Sequence, residues 1–247
     1  MRVLGQHTPR GIFLVDDFVG EDEEASLVGV ADGVLGKRKY EGRHWDSVIQ
    51  GFRECERTVG ELCRDLDARA EGYLRAVADR VAVQVEQVDP LATLREQIHV
   101  LDLHAKGVMD AHVDSEWAFG GCLASVPLLS DCVVRLRNRE CPGAEVVDIL
   151  VPRRSLYILS SDARYGWTHE ITDTSGGEAA AARVPSILLA ETEEEEDAAD
   201  FASVPVGQLP AVRQQFGEQQ VERTRRVSFL FRSQASSAAA AVGERER

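Results

Sequence analysis

What the chain lacks narrows it first. No apolar run approaches the length of a bilayer-crossing helix, so insertion into a membrane through helices is not expected. No C-x-x-C pair occurs among Cys55, Cys63, Cys122, Cys132 and Cys141, and an odd set of five cannot close fully into disulfides. That pattern argues against a disulfide scaffold and fits a reducing compartment, with the thiols as small core hydrophobes. No secretory signal is recognisable. Residues 1–15 hold Arg2, His7 and Arg10 without an acid, as a transit peptide would, but Ile12-Phe13-Leu14-Val15 already reads as the first strand. Bases are nearly missing from 187–220, where Glu191, Glu193, Glu194, Glu195, Glu196, Asp197, Asp200 and Glu218 face only Arg213. That stretch carries −7 of the net −14, so the remainder is only mildly acidic. The balance argues against a phosphate-binding footprint spread over the whole surface.

What is present is enough for one sizeable core, with 247 residues and 44 % hydrophobic content. Glu21, Asp22, Glu23 and Glu24 load acids into the first turn of a short helix. Segment 37–57 is rich in Arg, Tyr, His and Trp and has no clean period. Leu62, Leu66, Ala70, Tyr73, Val77 and Val81 recur at three- and four-residue steps, predicting one amphipathic helix over about 60–85 that Asp89-Pro90 ends. Short runs rich in Val, Leu and Ile follow at 98–103, 123–129, 133–136, 146–151, 156–159 and 227–231. Many short strands without βαβ alternation predict a mainly β, α+β fold, a double-sheet jelly roll with helices packed on one side. We read 1–233 as one domain, about 173–220 within it as an acidic mobile insertion, and 234–247 as a disordered tail.

The chemistry gathers in His112-Val113-Asp114, followed by His169 and then by Arg226 and Arg232. Two histidines and a carboxylate on one face of an octahedral ion leave three positions open, the arrangement of non-haem Fe(II) oxygenases. H-x-D alone often arises by chance, and an isolated histidine is usually an ordinary polar residue at a strand end. Here that reading would have to explain His112, Asp114, His169 and the arginine pair together. In a strand His112 and Asp114 point to the same side and can chelate one ion, with His169 arriving from a strand across the roll. The set holds no thiolate, which favours iron over zinc.

Arg226, Ser228, Leu230 and Arg232 alternate along one strand face and span roughly 20 Å at ~3.3 Å per residue. The two arginines therefore cannot serve one carboxylate from the same spot. The natural division puts Arg226 and the Ser228 hydroxyl at the distal carboxylate of a co-substrate such as 2-oxoglutarate, with Arg232 nearer the metal. Tyr157 either adds a phenol donor there or packs in the core with its hydroxyl satisfied elsewhere. His99 and His104 read as structural. Arg164, five residues before His169, reads as support for a ligand, as an anchor for a substrate carboxylate, or as partner to an acid.

These residues carry a resemblance. The sequence resembles the AlkB family of Fe(II)/2-oxoglutarate dioxygenases, and within it the mitochondrial branch of homologue seven. The likeness runs through KYEGRHWDSVIQGFRE (39–54), HVLDLHAKG (99–107), AHVDS (111–115), SLYILSSDARYGWTHEI (155–171) and RRVSFLFR (225–232). It implies a double-stranded β-helix with iron on His112, Asp114 and His169 and 2-oxoglutarate on Tyr157, Arg226 and Arg232. It further implies oxygenation driven by O₂ and 2-oxoglutarate, a mitochondrial location, and links to fatty-acid metabolism and regulated necrotic death. A protein side chain is the expected substrate. An RNA or DNA demethylase sharing the cofactor site is the alternative, as is a binding module on the same fold without turnover. Where the family's nucleic-acid demethylases carry Asn and Tyr before H-x-D, this chain has Leu101 and Leu103, and Ser228 and Leu230 replace Asn and Thr on the arginine strand. With no basic, aromatic-laced segment to grip a flipped nucleotide, base repair is not expected. Arg153-Arg154 and Ser161 stand where similar sequences have Pro-Gly and Gly.

Overall fold

Side-chain alternation builds two cores from one sheet. The computed structural model describes residues 3–4, 8–42, 48–143, 145–172 and 212–235. Its central strands are β4 (Ile98–His112), β5 (Phe119–Leu128), β8 (Leu156–Ser160) and β12 (Arg226–Gln234). Successive residues of a strand face opposite ways. Val100, Val126, Ile158 and Phe229 pack outward beneath α1 (Glu21–Leu35) and α3 (Ala68–Val88), with Leu27, Leu35, Leu74 and Val81 completing that layer. Leu101, Leu103, Tyr157 and Leu159 face inward, where they meet Leu136, Ile149 and Trp167. Those partners come from β6 (Cys132–Asn138), β7 (Val146–Val151) and β9 (Trp167–Ile171).

The strand order is β1 (Val3–Leu4), β7, β6, β9, β4, β12, β5, β8, β2 (Ile12–Val15), with β3 (Ile49–Arg57) added to β4. All these pairings are antiparallel. The result is the mainly β double-stranded β-helix that the pattern of short strands predicts, a nearly closed barrel whose interior is the second core. No helix of the described residues is long and apolar enough to cross a membrane.

The structure departs from the sequence pattern in several places. The single helix expected over about 60–85 is two, α2 (Val59–Leu62) and α3, because two N-caps lie close together. Thr58 and Glu61 form a capping box, and the Asp67 carboxylate accepts the Ala70 N–H at 2.8 Å. β3 falls inside the segment that has no clean period. Gly51, at φ 66°, sits at a register shift between Gln50 and Phe52, and Arg53, Glu54 and Glu56 break the apolar alternation. Part of the segment expected to be a mobile insertion is a hairpin, β10 (Val212–Phe216) with β11 (Gln219–Arg223). The buried Gln214 amide ties it to the barrel by accepting the Val133 N–H at 2.8 Å and donating to the Thr172 carbonyl at 2.9 Å. Residues 173–211 of that expected insertion, and 236–247 of the expected tail, lie outside the described residues. Arg154 (φ 63°) and Ser161 (φ 48°) occupy left-handed backbone, the conformation that favours glycine.

Candidate metal centre

β4 and β9 pair with His112 directly opposite His169. Opposed residues of antiparallel strands bring their Cβ atoms to ~4.5–5.5 Å, and here the two imidazole centroids are 4.2 Å apart. His169 therefore stands on the neighbouring strand, and not across the roll as the sequence led us to expect. The strand also stops at His112, so Asp114 lies just beyond it in the following turn. The turn still returns the carboxylate to the histidines: Asp114 Oδ1 is 3.4 Å from His112 Nε2 and 3.6 Å from His169 Nε2. One ligand atom from each residue lies within 4.8 Å of the others, and among the described residues this is the set of His, Cys, Asp or Glu able to hold a metal ion.

Neighbours fix each member. His112 Nδ1 lies 2.8 Å from the Asp110 carbonyl, which can only accept, so Nδ1 carries a proton and Nε2 is turned toward the centre. Arg164, buried in α4 (Ser161–Tyr165), spends its guanidinium on the turn that carries Asp114. It donates to the carbonyls of Asp114 (3.0 Å), Gly120 (3.1 Å), Ser115 (3.3 Å) and Phe119 (3.4 Å). Arg232 Nε donates to Asp114 Oδ2 at 2.8 Å. Burial pushes the Asp114 carboxyl up, but the His112 hydrogen bond and the Arg232 charge outweigh it and hold the group well below the usual carboxylate range. Burial, with His112 beside it, pushes His169 down to about 3. At neutral pH the centre thus presents an ionised carboxylate and a neutral His169, the protonation states a divalent ion requires.

Further along β12 the surroundings are drier. Arg226 is 4 % exposed and donates to the Ser130 carbonyl, and no carboxylate forms an ion pair with it among the described residues. Burial depresses its pKa, and the opposing influence of Cys132 and Asp131 does not offset it. Ser228, buried, follows on the same strand face, opposite Leu101 and Pro127. Tyr157 faces the same interior from β8, and its hydroxyl is buried with no hydrogen-bond partner among the described residues. Burial alone raises the Tyr157 pKa above its ordinary value, so the phenol stays protonated and able to donate. A buried cation and a buried idle donor in one apolar interior are what an incoming carboxylate would satisfy.

The structure also brings in residues the sequence reading set aside. His99, read as structural, accepts from Arg232 at 2.8 Å and contacts Glu54 at 2.7 Å. The Arg232 guanidinium carbon lies 4.5 Å from the Phe119 ring centroid. Placing Glu54 needed β3, which had no periodicity to announce it. His104, the other histidine read as structural, is buried, accepts the Lys106 N–H at 3.0 Å and stands edge-on to Tyr40. An open cleft of about 440 Å³ between α1 and α3, lined by Asp22, Gly29, Leu66 and Tyr73 among others, contains none of the residues of the centre.

Compared with known proteins, the molecule has the fold of the 2-oxoglutarate oxygenases. A prolyl hydroxylase from Trichoplax adhaerens, solved in complex with a hypoxia inducible factor oxygen degradation domain peptide fragment, superimposes with a TM-score of 0.54 at 10 % identity, over 94 % of this chain and 86 % of that one. In sequence the chain is similar to AlkB homologues. It is 38 % identical over 154 residues to the mitochondrial alpha-ketoglutarate-dependent dioxygenase alkB homolog 7 of Bos taurus, and 34 % identical over 154 residues to that of Mus musculus. Each alignment covers 62 % of this chain, and the chain spans 64 % of the length of these relatives. No family model matches.

Proposed function

We propose that this protein is an Fe(II)- and 2-oxoglutarate-dependent dioxygenase of the AlkB type, with His112, Asp114 and His169 holding the metal. The single observation that carries the reading is the convergence of those three side chains to within 4.8 Å beside a buried, anion-seeking interior. The donor set fits the group: two imidazoles and a carboxylate suit a first-row divalent ion and leave three coordination positions for co-substrate and O₂. When bound, iron with 2-oxoglutarate supplies oxidative decarboxylation of the oxoacid to succinate and CO₂, together with oxygenation of a substrate C–H bond.

The chain's own residues bind, orient and shield. Arg226, supported by Tyr157 and Ser228, takes the distal carboxylate, where a planar fork in a dry pocket binds strongly. Arg232 takes the end nearer the metal, consistent with its contact to Asp114. Arg164 keeps the Asp114 turn in place through backbone carbonyls. The apolar interior around Leu101, Leu103 and Tyr157 keeps bulk water away from the co-substrate. For the primary substrate we propose a protein side chain, because Leu101 and Leu103 fill the interior and the acidic sequence, net −14, disfavours a polyphosphate partner. A mitochondrial location, with roles in fatty-acid metabolism and regulated necrosis, is part of the same proposal and rests on the resemblance to homologue seven.

Anaerobic titration with Fe(II) and then 2-oxoglutarate, followed by succinate formation in air, tests the reading. Asp114→Ala should abolish metal binding and turnover together. Binding of both without turnover would reduce the protein to a binding module, and strong stimulation of succinate formation by methylated RNA or DNA would overturn the substrate class.

A further inference from the structure

Arg232 is held from three sides, and one holder is a histidine whose tautomer the geometry dictates. Its Nε donates to Asp114 Oδ2 at 2.8 Å, its Nη1 lies 2.8 Å from His99 Nδ1, and its plane lies over Phe119. An arginine has five N–H donors and no acceptor, so His99 Nδ1 must offer a lone pair. The imidazole proton then sits on Nε2, which lies 2.7 Å from Glu54 Oε2. Glu54 and His99 oppose Leu101 and Glu56 across the β3–β4 pair, and the side chains of this chain of contacts are all at most about a quarter exposed. Polar groups at such depth are held by specific partners.

We infer that Glu54 and His99 form a positioning relay, Glu54–His99–Arg232–Asp114, that sets the plane of the Arg232 guanidinium for the incoming 2-oxo acid. The inference rests on the proposed dioxygenase reading for what Arg232 meets. The relay itself stands on the geometry of the chain. Its two hydrogen bonds occupy Nε and one Nη1 proton, leaving the remaining edge of the fork for an anion at the metal side. Glu54 fixes the proton on His99 Nε2, His99 then accepts only from Arg232, and the guanidinium cannot rotate toward Asp114 alone. In this relay Glu54 and His99 act through Arg232. Partners of this kind are worth about 10–100-fold in affinity or activity when removed.

Two measurements decide it. In the metal-free protein, ¹⁵N resonances of the imidazole assigned by their loss in His99→Leu should show a neutral ring protonated at Nε2 at neutral pH. A ring protonated at Nδ1, or at both nitrogens, overturns the relay. In the iron-loaded protein under anaerobic conditions, His99→Leu should weaken 2-oxoglutarate binding about tenfold while Fe(II) affinity changes far less. His99→Asn, which keeps an acceptor near the place of Nδ1, should recover part of that loss, and Glu54→Gln should lose less than Glu54→Leu. Unchanged co-substrate affinity in His99→Leu overturns the positioning role. If the unmodified protein fails to bind 2-oxoglutarate, the dioxygenase reading falls instead, and the imidazole resonances still decide the relay.

Discussion

Arg225 and Arg226 are neighbours in sequence, and the strand sends them to opposite faces of one sheet. Arg225 enters a cluster in which the fully buried Asp102 carboxylate accepts from Arg225 (2.8 Å), Arg53 (2.8 Å) and the Tyr40 hydroxyl (3.0 Å), while Asp32 caps the other side of Arg225 at 2.6 Å. Despite the cost of burial, those hydrogen bonds raise its pKa. Arg226 faces the barrel interior, pairs with a carbonyl, and has its pKa depressed by burial. One charge is neutralised inside the fold and so belongs to stability. The other has no carboxylate beside it among the described residues, and in the proposed function it meets a counter-ion from outside. The same residue type serves two purposes because the period of a strand is two.

That contrast can be broken experimentally. Arg225→Met should cost about 3 kcal/mol of stability, toward the lower end for breaking a buried pair because Arg53 still reaches Asp102. Urea unfolding of the metal-free protein reads this, and a midpoint equal to wild type would erase the distinction. The folded fraction of Arg225→Met should bind 2-oxoglutarate normally.

Arg226→Met should do the reverse. Co-substrate binding should weaken by about 2–5 kcal/mol, or roughly 30-fold to several-thousand-fold. Metal-free stability should hold or rise, since a buried charge without a carboxylate partner among the described residues is removed. Arg226→Lys should recover little, because an ammonium cannot reproduce the planar fork. Calorimetric titration alongside urea unfolding gives both numbers, and a stability loss matching that of Arg225→Met would show that the two arginines play the same part.

Tyr157→Phe sharpens the contrast on a smaller scale. Removing a buried hydroxyl that has no partner among the described residues should stabilise the metal-free protein by about 1 kcal/mol and weaken co-substrate binding by several-fold. Thermal melts with and without 2-oxoglutarate should therefore cross, and a destabilised phenylalanine variant would mean that the hydroxyl is already satisfied.

A further expected effect is on pH. His169 falls from 6.5 to about 3 in the folded chain, so between those values the unfolded state binds more protons. Stability of the metal-free protein should therefore fall as pH drops from 6.5 toward 3. Asp114, held below 3.8, acts in the same direction at the acid end, since its contribution is present above that value and lost below it. His169→Phe should flatten the slope between pH 6.5 and 4, and an unchanged slope would place the acid sensitivity elsewhere.

Much of this was legible in the sequence because it depends on short-range periodicity. Short runs rich in Val, Leu and Ile announced β7 and β8 to within a residue, and the first part of β12, which runs on to Gln234. The H-x-D spacing and the arginine strand singled out the residues that the structure gathers. What escaped had no period to show. β3 is interrupted by Gly51 and three charges, the helix break before Asp67 is a matter of capping, and the 212–223 hairpin is secured by one glutamine amide. Sequence alone determined which residues face the barrel, since alternation is a property of the extended chain itself. Only the tertiary structure decided that His169 stands beside His112, that Asp114 reaches back from a turn, and that His99 leans on Arg232. Those depend on which strands become neighbours and in what register, and register is chosen by the whole sheet at once.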